Sequence, residues 1–233
     1  MTSNSLYAVV PAAGIGSRMG ADIPKQYLVL HGQTILQHTL AKLSKFSKLE
    51  KIIVPISDND QWFVDQPISD HEKIETCSGG SERFESVLNG LNALLEQGVD
   101  ENAWVMVHDV ARPCFQLSDL AKLFDERSEQ GAILALEVRD TMKRSDSTGA
   151  IVETVDRENL WHALTPQLAP LGLLHRAIST CIQDGVAITD EASALEYMGL
   201  TPKTVAGHPS NIKVTRPEDL ELAEFFLSHS STS

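Results

Sequence analysis

Strand-like and helical periods alternate along this chain, and that alternation constrains its fold more than any other feature. Short apolar runs at 7–10, 51–56, 104–108 and 132–138 predict strands, and segments with helical spacing separate them. This order predicts an α/β fold with a Rossmann-like, mainly parallel sheet and helices on both faces. Right-handed crossovers then place the loops after these strands at one edge, where ligands bind.

The helical segments have apolar residues on one face each. Helices are predicted at 35–46, 82–96, 118–129, 171–183 and 190–198, with a later strand at 203–205. Ser118 is the expected N-cap of the third helix, and Thr215 with Glu218 predicts a capping box for a last helix that starts beside Pro217. All 233 residues are assigned to a single domain, 1–233.

Composition excludes several classes of partner. The net charge of −13 argues against a nucleic-acid or anionic-membrane partner, which would need a basic face. No apolar run approaches the roughly 18 residues that a spanning helix needs, and the polar N-terminus predicts no signal peptide. The three cysteines form no C-x-x-C pair, which favours reduced thiols. We therefore expect a cytoplasmic protein.

The first predicted strand runs into a loop of small residues, Pro11–Gly20, which contains Arg18 and is followed by Lys25. Gly14 and Gly16 allow the backbone to approach a ligand, and successive free N–H groups form a nest for anions. The two cations can neutralise phosphate charge that backbone dipoles leave unbalanced. Lys and Arg are usually surface residues, but their position after a strand favours a triphosphate site.

The loop matches neither of two common nucleotide-binding patterns. A Walker A loop needs Lys-Ser or Lys-Thr after its second glycine, and no such pair follows a glycine here. A Rossmann fingerprint has glycine or alanine where Met19 stands, and an acid about 20 residues further on. The chain has Gln37 to Thr39 at that point, so this fingerprint is excluded.

Later segments carry further candidate residues, each with a simpler structural interpretation. Asp109 follows the strand at 104–108, where a carboxylate suits Mg²⁺ or a ribose hydroxyl, although a turn-forming Asp is an open alternative. His108 is expected to be packed or hydrogen-bonded. Lys213 is expected in a short apolar strand, so its side chain needs a specific partner. The acids after Thr189 are explained by capping and the helix dipole.

The alternation of strands and helices breaks between about 139 and 156. A polar stretch with a turn-like centre is followed by a returning strand at 151–155. This pattern predicts a projecting hairpin, a β-arm at about 139–156. Its simplest interpretation is an exposed surface hairpin.

The pattern P-A-A-G-x-G-x-R-M-G, followed by P-K-Q, resembles the signature loop of the sugar-nucleotide-type nucleotidyltransferases. Within them the chain resembles the 2-C-methyl-D-erythritol 4-phosphate cytidylyltransferase family. Further segments match that family in order, from about residue 7 to 227: Gly79-Gly80 with Arg83 and Ser86-Val87, His108–Pro113, Asp140–Lys143, Thr154–Arg157, Thr165–Gln167, Thr189–Ala192 and Asn211–Thr215.

The resemblance implies an enzyme of the non-mevalonate isoprenoid pathway. The family transfers CMP from CTP to 2-C-methyl-D-erythritol 4-phosphate, giving 4-diphosphocytidyl-2-C-methyl-D-erythritol and pyrophosphate. The acceptor phosphate attacks the α-phosphorus in line, with Mg²⁺ on the triphosphate. The resemblance also implies a homodimer in which the β-arm interlocks with a second subunit and helps to build the substrate site.

The resemblance also assigns roles to individual residues. Backbone at Ala12, Ala13, Gly14 and Gly80 with the Ser86 hydroxyl reads cytosine, and Gly16 and Arg83 belong to the same nucleotide site. Arg18 and Lys25 stabilise the α-phosphate and departing pyrophosphate. Asp109 contacts the ribose and the metal, and Arg112 binds phosphate or makes a structural pair. Arg157 and Lys213 hold the acceptor phosphate, with Thr141 and Thr165 assisting.

The chain departs from the family at two positions. Ser81 and Glu85 stand where the family often has Asp, which weakens any role for the Ser81 side chain and leaves the backbone contacts untouched. Two alternatives stay open. A ribitol-5-phosphate cytidylyltransferase has the same fold and similar loops, and an inactive nucleotide-binding scaffold subunit needs no chemistry at all.

Overall fold

A seven-stranded sheet forms the centre of the fold in a computed structural model, which describes residues 4–14 and 23–229. The strands are β1 (Leu6–Val9), β2 (Val29–Leu30), β3 (Gln33–Thr34), β4 (Leu49–Ile56), β5 (Ile74–Ser78), β6 (Trp104–Val107), β7 (Ala132–Glu137), β8 (Met142–Ser145), β9 (Ile151–Val155), β10 (Trp161–Pro170) and β11 (Lys203–Ala206). The central sheet has the order β11-β7-β10-β6-β1-β4-β5. Only β10 runs antiparallel to its neighbours in this sheet, so the predicted mainly parallel sheet is confirmed.

Six α-helices of the described residues flank the sheet: α1 (Ile35–Ser44), α2 (Arg83–Glu96), α3 (Leu117–Asp125), α4 (Leu171–Gln183), α5 (Glu191–Tyr197) and α6 (Pro217–His229). Consecutive strand residues point to opposite faces, so Ala8 joins the apolar cluster with α1 and α3, while Val9 joins the one with α2, α4 and α5. Helices therefore cover both faces, as predicted.

The loops after β1, β5 and β6 meet at one edge because these strands are parallel. The first two loops pack closely: a Cβ on Gly79 would lie 2.3 Å from the Cβ of Ala13. A side chain at residue 79 would force the loops apart. Glycine here is a requirement of loop packing, and the next residue, Gly80, lines a cleft at this edge.

β10 brings a further residue to the same edge. The strand is antiparallel to β6, with Gln167 opposite Val107. Two residues further along, the same register places Thr165 opposite Asp109. This strand was not predicted because it contains Pro166, and proline inside a run argues against a central strand. The pairing with β7 accommodates Pro166 through a register shift between Ala163 and Gln167.

β8 and β9 form a separate two-stranded sheet within the segment predicted as the β-arm. The turn is closed by Asp146, whose carboxylate accepts hydrogen bonds from the Thr148 and Ala150 N–H groups. Almost all of the hairpin is exposed, including Ile151 and Val152, which are 66% and 64% exposed.

Several predicted boundaries were wrong in detail. α3 starts at Leu117 with Gln116 as its N-cap, so Ser118 is not the cap, and it ends at Asp125, four residues early. The cap of α6 uses Asp219 instead of Glu218, because the Asp219 carboxylate accepts from both the N–H and the hydroxyl of Thr215.

Candidate active site

A cleft opens between the loop after β1, the N-terminal end of α2 and the loop after β6. Its lining residues include Ala12, Ala13, Gly14, Lys25, Gly80, Arg83, Ser86, Asp109 and Lys213. Nine of the predicted site residues are thus brought together at the predicted sheet edge. Gly16 and Arg18 lie outside the described residues.

Lys25 is placed at the cleft by the residue that follows it. It begins a short 3-10 helix, Lys25–Tyr27, whose Gln26 is buried. The Gln26 amide donates a 2.6 Å hydrogen bond to the carbonyl of Ala12. This bond ties the turn that carries Lys25 to the loop after β1, so a cation lies beside that loop.

Gly80 and Ser86 form a prearranged polar corner of the cleft. The Gly80 N–H donates to Ser86 Oγ at 3.0 Å, and the hydroxyl itself donates to the Glu82 carbonyl at 3.2 Å. Ser86 is buried. Its oxygen keeps one acceptor position, which suits an exocyclic amine of a base.

The departures at Ser81 and Glu85 compensate each other. One Glu85 carboxylate oxygen accepts from the Ser81 N–H at 2.8 Å, the Ser81 hydroxyl at 2.6 Å and the Glu82 N–H at 3.0 Å. The Ser81 hydroxyl and these N–H groups hold the pKa of Glu85 below its usual value. The loop before α2 is therefore fixed by a charged helix cap.

Asp109 is the centre of a charge cluster at the floor of the cleft. Its Oδ1 accepts from Arg83 Nε at 2.9 Å, and its Oδ2 contacts Lys213 Nζ at 2.9 Å and Arg112 Nε at 3.3 Å. Burial raises the pKa of Asp109, but Arg83, Lys213 and Arg112 outweigh that effect and hold it well below its ordinary value. This carboxylate is ionised at neutral pH.

The two arginines of the cluster have second partners. Arg112 is buried and donates from Nη1 to the Asn211 carbonyl at 2.8 Å, so it makes the structural pair that was one of its two expected roles. Arg83 donates to both carboxylate oxygens of Glu191, at 2.7 and 3.2 Å. Both guanidiniums are thus held in fixed orientations.

Sequence reasoning missed the role of Glu191. Its neighbour Asp190 does cap α5, as predicted, by accepting from the Ser193 N–H at 2.9 Å. Glu191 itself is buried, although an acid after an N-cap normally faces solvent. Its partner Arg83 is 108 residues away in sequence, and no local spacing signals such a pair.

A chain of hydrogen bonds supports the Asp109 backbone. Thr165 Oγ1 accepts from the Asp109 N–H at 3.0 Å and lies 3.0 Å from His108 Nδ1. His108 Nε2 lies 3.1 Å from the Arg112 carbonyl, which can only accept, so Nε2 carries the proton and Nδ1 accepts from Thr165. Burial lowers the pKa of His108 to about 4. His108 is therefore packed and hydrogen-bonded, as expected.

One chain does not assemble all of the predicted acceptor residues. Lys213 and Thr165 both lie beside Asp109. Thr141 and Arg157 lie instead at the base of the β-arm, where both are exposed and Arg157 donates to the Arg139 carbonyl. Arg157 lines a different groove from the cleft that contains Lys213.

The predicted strand around Lys213 was wrong. Residues 211–215 are irregular, and the Val214 N–H donates to the Ala111 carbonyl at 2.8 Å. The segment is held by this bond and by Arg112 on the Asn211 carbonyl. These two contacts, not a sheet, direct Lys213 toward Asp109.

The described part of the chain offers few metal ligands. Within residues 4–14 and 23–229, no group of three or more His, Cys, Asp or Glu side chains could hold a metal ion. Asp109 is the carboxylate that lies on the floor of the cleft, beside three cations. This donor set fits a cation that arrives on a phosphate ligand and takes most of its ligands from that phosphate.

Among the described residues, no helix has the length and apolar character to cross a membrane.

Comparison with known proteins identifies the family. The profile described as IspD, 2-C-methyl-D-erythritol 4-phosphate cytidylyltransferase, matches residues 6–229. The protein of that name from Vibrio atlanticus is 54% identical over 226 residues, covering 96% of each chain.

Solved structures agree with this match. A crystal structure of 4-diphosphocytidyl-2C-methyl-D-erythritol synthase has a TM-score of 0.83 at 37% identity, covering 95% of this chain and 98% of that one. The Francisella tularensis 2-C-methyl-D-erythritol 4-phosphate cytidylyltransferase (IspD) has a TM-score of 0.82 at 39% identity, covering 95% and 99%. Since both the sequence profile and the fold match over nearly the whole length, this chain belongs to the 2-C-methyl-D-erythritol 4-phosphate cytidylyltransferase family.

Proposed function

We propose that this chain transfers CMP from CTP to 2-C-methyl-D-erythritol 4-phosphate, giving 4-diphosphocytidyl-2-C-methyl-D-erythritol and pyrophosphate. The observation that carries the proposal is the cleft itself. The loop after β1 and Ser86 suit a base, and the two lysines that line the cleft, Lys25 and Lys213, suit phosphate groups. Membership of the family supplies the identity of the two substrates.

Cytosine is read at the polar corner of the cleft. Its exocyclic amine donates to the remaining acceptor position of Ser86, and backbone groups at Ala12, Ala13, Gly14 and Gly80 contact the other base edges. A Cβ at Gly80 would lie 2.3 Å from the Cβ of Glu85, so packing against Glu85 already requires glycine at this corner of the cleft.

The reaction is an in-line displacement at the α-phosphorus. An oxygen of the acceptor phosphate forms the new P–O bond while the bond to the β-phosphate breaks, and pyrophosphate leaves with the electron pair. A phosphate monoester is already ionised at neutral pH, so no general base is needed. The inaccessible His108, with its pKa of about 4, fits a reaction without one.

Cationic side chains stabilise the transition state. Lys25 lines the cleft, and Arg18 belongs by sequence to the loop Pro11–Gly20 that precedes it. Removing one such cation is expected to lower kcat by about 100-fold, which corresponds to about 3 kcal/mol.

Mg²⁺ is the proposed metal, bound with CTP. Asp109 would be its protein ligand, and the triphosphate supplies the other ligands. When bound, the ion neutralises phosphate charge and fixes the geometry of the triphosphate.

A homodimer completes the acceptor site. Lys213 and Thr165 come from one subunit, while Arg157 and Thr141 come from the arm of the other. The arm supports this proposal because a two-stranded hairpin with exposed Ile151 and Val152 is marginally stable unless another surface covers it.

We also propose a cytoplasmic location, because the three cysteines are free thiols, as expected in a reducing compartment.

The first test is pyrophosphate release from CTP and Mg²⁺ with 2-C-methyl-D-erythritol 4-phosphate, run beside ribitol 5-phosphate. We expect turnover with the first acceptor alone, and a loss of about 100-fold in Lys25→Ala. Lys45→Ala, a matched change of an exposed lysine at the C-terminal end of α1 and outside the cleft, keeps wild-type turnover. Turnover with ribitol 5-phosphate reassigns the acceptor, and CTP binding without turnover indicates a scaffold subunit.

A further inference from the structure

Glu191 lies behind the cleft, in contact with a residue that lines it. Its side chain is only 3% exposed, and both of its oxygens accept from the Arg83 guanidinium, at 2.7 and 3.2 Å. Arg83 in turn donates from Nε to Asp109 at 2.9 Å. Arg83 therefore bridges two carboxylates, one on the floor of the cleft and one outside it.

The helix that carries Glu191 is fixed to the sheet by a second contact. Gln167, which is buried in β10, donates to Asp190 Oδ2 at 2.9 Å and accepts from the Ala192 N–H at 2.8 Å. These bonds hold the residues on either side of Glu191. The Glu191 carboxylate is therefore a rigid acceptor, so the orientation it imposes on Arg83 is set by the sheet.

Capping does not account for this arrangement. The N-cap role in α5 belongs to Asp190, which accepts from the Ser193 N–H. A favourable interaction with the helix dipole needs no burial and no partner, and it operates at the surface. Burial of a carboxylate is costly unless it is paired, so the burial of Glu191 requires Arg83.

The pairing also distributes charge within the cluster. Arg83, Arg112 and Lys213 surround Asp109, and Glu191 adds a second carboxylate on the Arg83 side alone. Arg83 is thereby shared between two carboxylates. The excess positive charge lies on the side of Lys213, whose side chain is 36% exposed and faces the cleft.

We propose that Glu191 is a positioning residue of the reaction: it holds Arg83 in the orientation that fixes Asp109, and it prevents Arg83 from pairing with a substrate phosphate. This inference rests on the proposed function. Glu191 itself touches neither substrate. Its effect on catalysis passes through Arg83, which makes the proposal testable by combining substitutions.

The test compares Glu191→Gln with Glu196→Gln, the same isosteric change at an exposed position of the same helix. In pyrophosphate release, Glu191→Gln is expected to lower kcat by about 10- to 100-fold, as is usual when a supporting carboxylate is lost. The KM for CTP stays within about threefold, since the base contacts are intact. Glu196→Gln keeps wild-type kinetics.

A double-mutant cycle separates positioning from a general structural role. In an Arg83→Met background, Glu191→Gln is expected to change kcat/KM by less than about twofold, because the residue through which it acts is gone. Equal losses in both backgrounds overturn the proposal, as does a Glu191→Gln enzyme whose thermal midpoint falls while its kcat is unchanged.

Two further outcomes keep the inference separate from the proposed function. Absence of turnover in the wild-type chain with both acceptors overturns the function, whereas an active wild type with an equally active Glu191→Gln overturns the inference alone. If Glu191→Gln does not fold, Arg83→Lys replaces it, since lysine cannot bridge two carboxylates in a fork. Wild-type kcat in Arg83→Lys then contradicts the proposal.

Discussion

The cluster around Asp109 and the β8–β9 arm both contain ion pairs. The two regions differ in how far the ion pairs are buried and held by other residues of the same chain. In the cluster, two buried carboxylates contact three cations, and the backbone and Gln167 fix the surrounding residues. On the arm, the Arg144–Glu153 pair is 2.6 Å long, yet its side chains are 65% and 53% exposed.

The difference shows which part of the site is preorganised. The cluster is rigid before any substrate arrives, because its two carboxylates are buried and each charge is oriented by a partner in the same chain. The arm presents Thr141 and Arg157 near its base and exposes apolar side chains, so its final geometry depends on whatever covers it. Under the proposed homodimer, a binding site divided in this way is completed by two subunits.

The largest expected effect is a loss of kcat when either region is altered, and its recovery when the two altered subunits form heterodimers. Lys213→Ala and Arg157→Ala each remove one proposed phosphate contact, and each homodimer is expected to lose about 100-fold or more in kcat. Exchange of subunits in an equal mixture forms heterodimers with one intact site and one doubly altered site. We expect the mixture to recover about a quarter of wild-type pyrophosphate release, since half of the dimers then have one of two sites intact.

A mixture that stays inactive after demonstrated subunit exchange contradicts the division of the site. The matched control is a mixture of Lys213→Ala with Lys25→Ala. Both of these residues line the cleft of the same chain. In that mixture each heterodimer has two singly altered sites and no intact one, so the mixture is expected to remain inactive.

The second prediction compares stability instead of activity. Asp109→Asn removes the carboxylate that three buried or half-buried cations share, and it is expected to lower the free energy of unfolding by about 3 kcal/mol. Glu153→Gln on the arm is expected to change it by less than about 0.5 kcal/mol, because its ion pair is exposed. Urea unfolding at neutral pH and one fixed protein concentration measures both. Equal losses would falsify the distinction between the two regions.

Much of the fold was predictable because its signals are local. The apolar runs of β1, β4, β6 and β7 and the helical spacing of α1, α2 and α4 fixed the layered arrangement. β5 was missed because it is a polar edge strand, and β10 was missed because Pro166 interrupts it. In both cases the pairing with neighbouring strands outweighs the local sequence preference.

The site was predictable only where a motif carried it. Lys25 and Asp109 were found because they follow strands of the parallel sheet, where loops converge. Glu191 was not, because its function depends on Arg83 in another segment, and a helix cap already explained its presence. Long-range partners of charged residues have no periodicity that a single sequence reveals, so the structure was needed to find them.

The last prediction concerns acid stability, and it belongs to the cluster side alone, since no histidine occurs on the arm between Met142 and Val155. Burial lowers the pKa of His108 from 6.5 to about 4 in the folded protein. Between these values the unfolded chain binds a proton that the folded chain does not, so stability falls as the pH is lowered. The contribution is fully present above pH 6.5, and about 3 kcal/mol of it is lost by pH 4.

Unfolding free energies measured from pH 7 to pH 4 in wild type and His108→Gln test this assignment. The variant is expected to be less stable at pH 7, because it changes two buried hydrogen bonds, but to lose less stability on acidification. His162→Gln, the same change at an exposed histidine, keeps the wild-type slope. An unchanged slope in His108→Gln contradicts the prediction. Asp109 stays ionised in the folded state throughout this range, but its carboxyl in the unfolded chain begins to bind protons at about pH 5, so its own loss of stability starts there. The slope between pH 7 and about pH 5 therefore reports the His108 contribution apart from that of the carboxylate beside it.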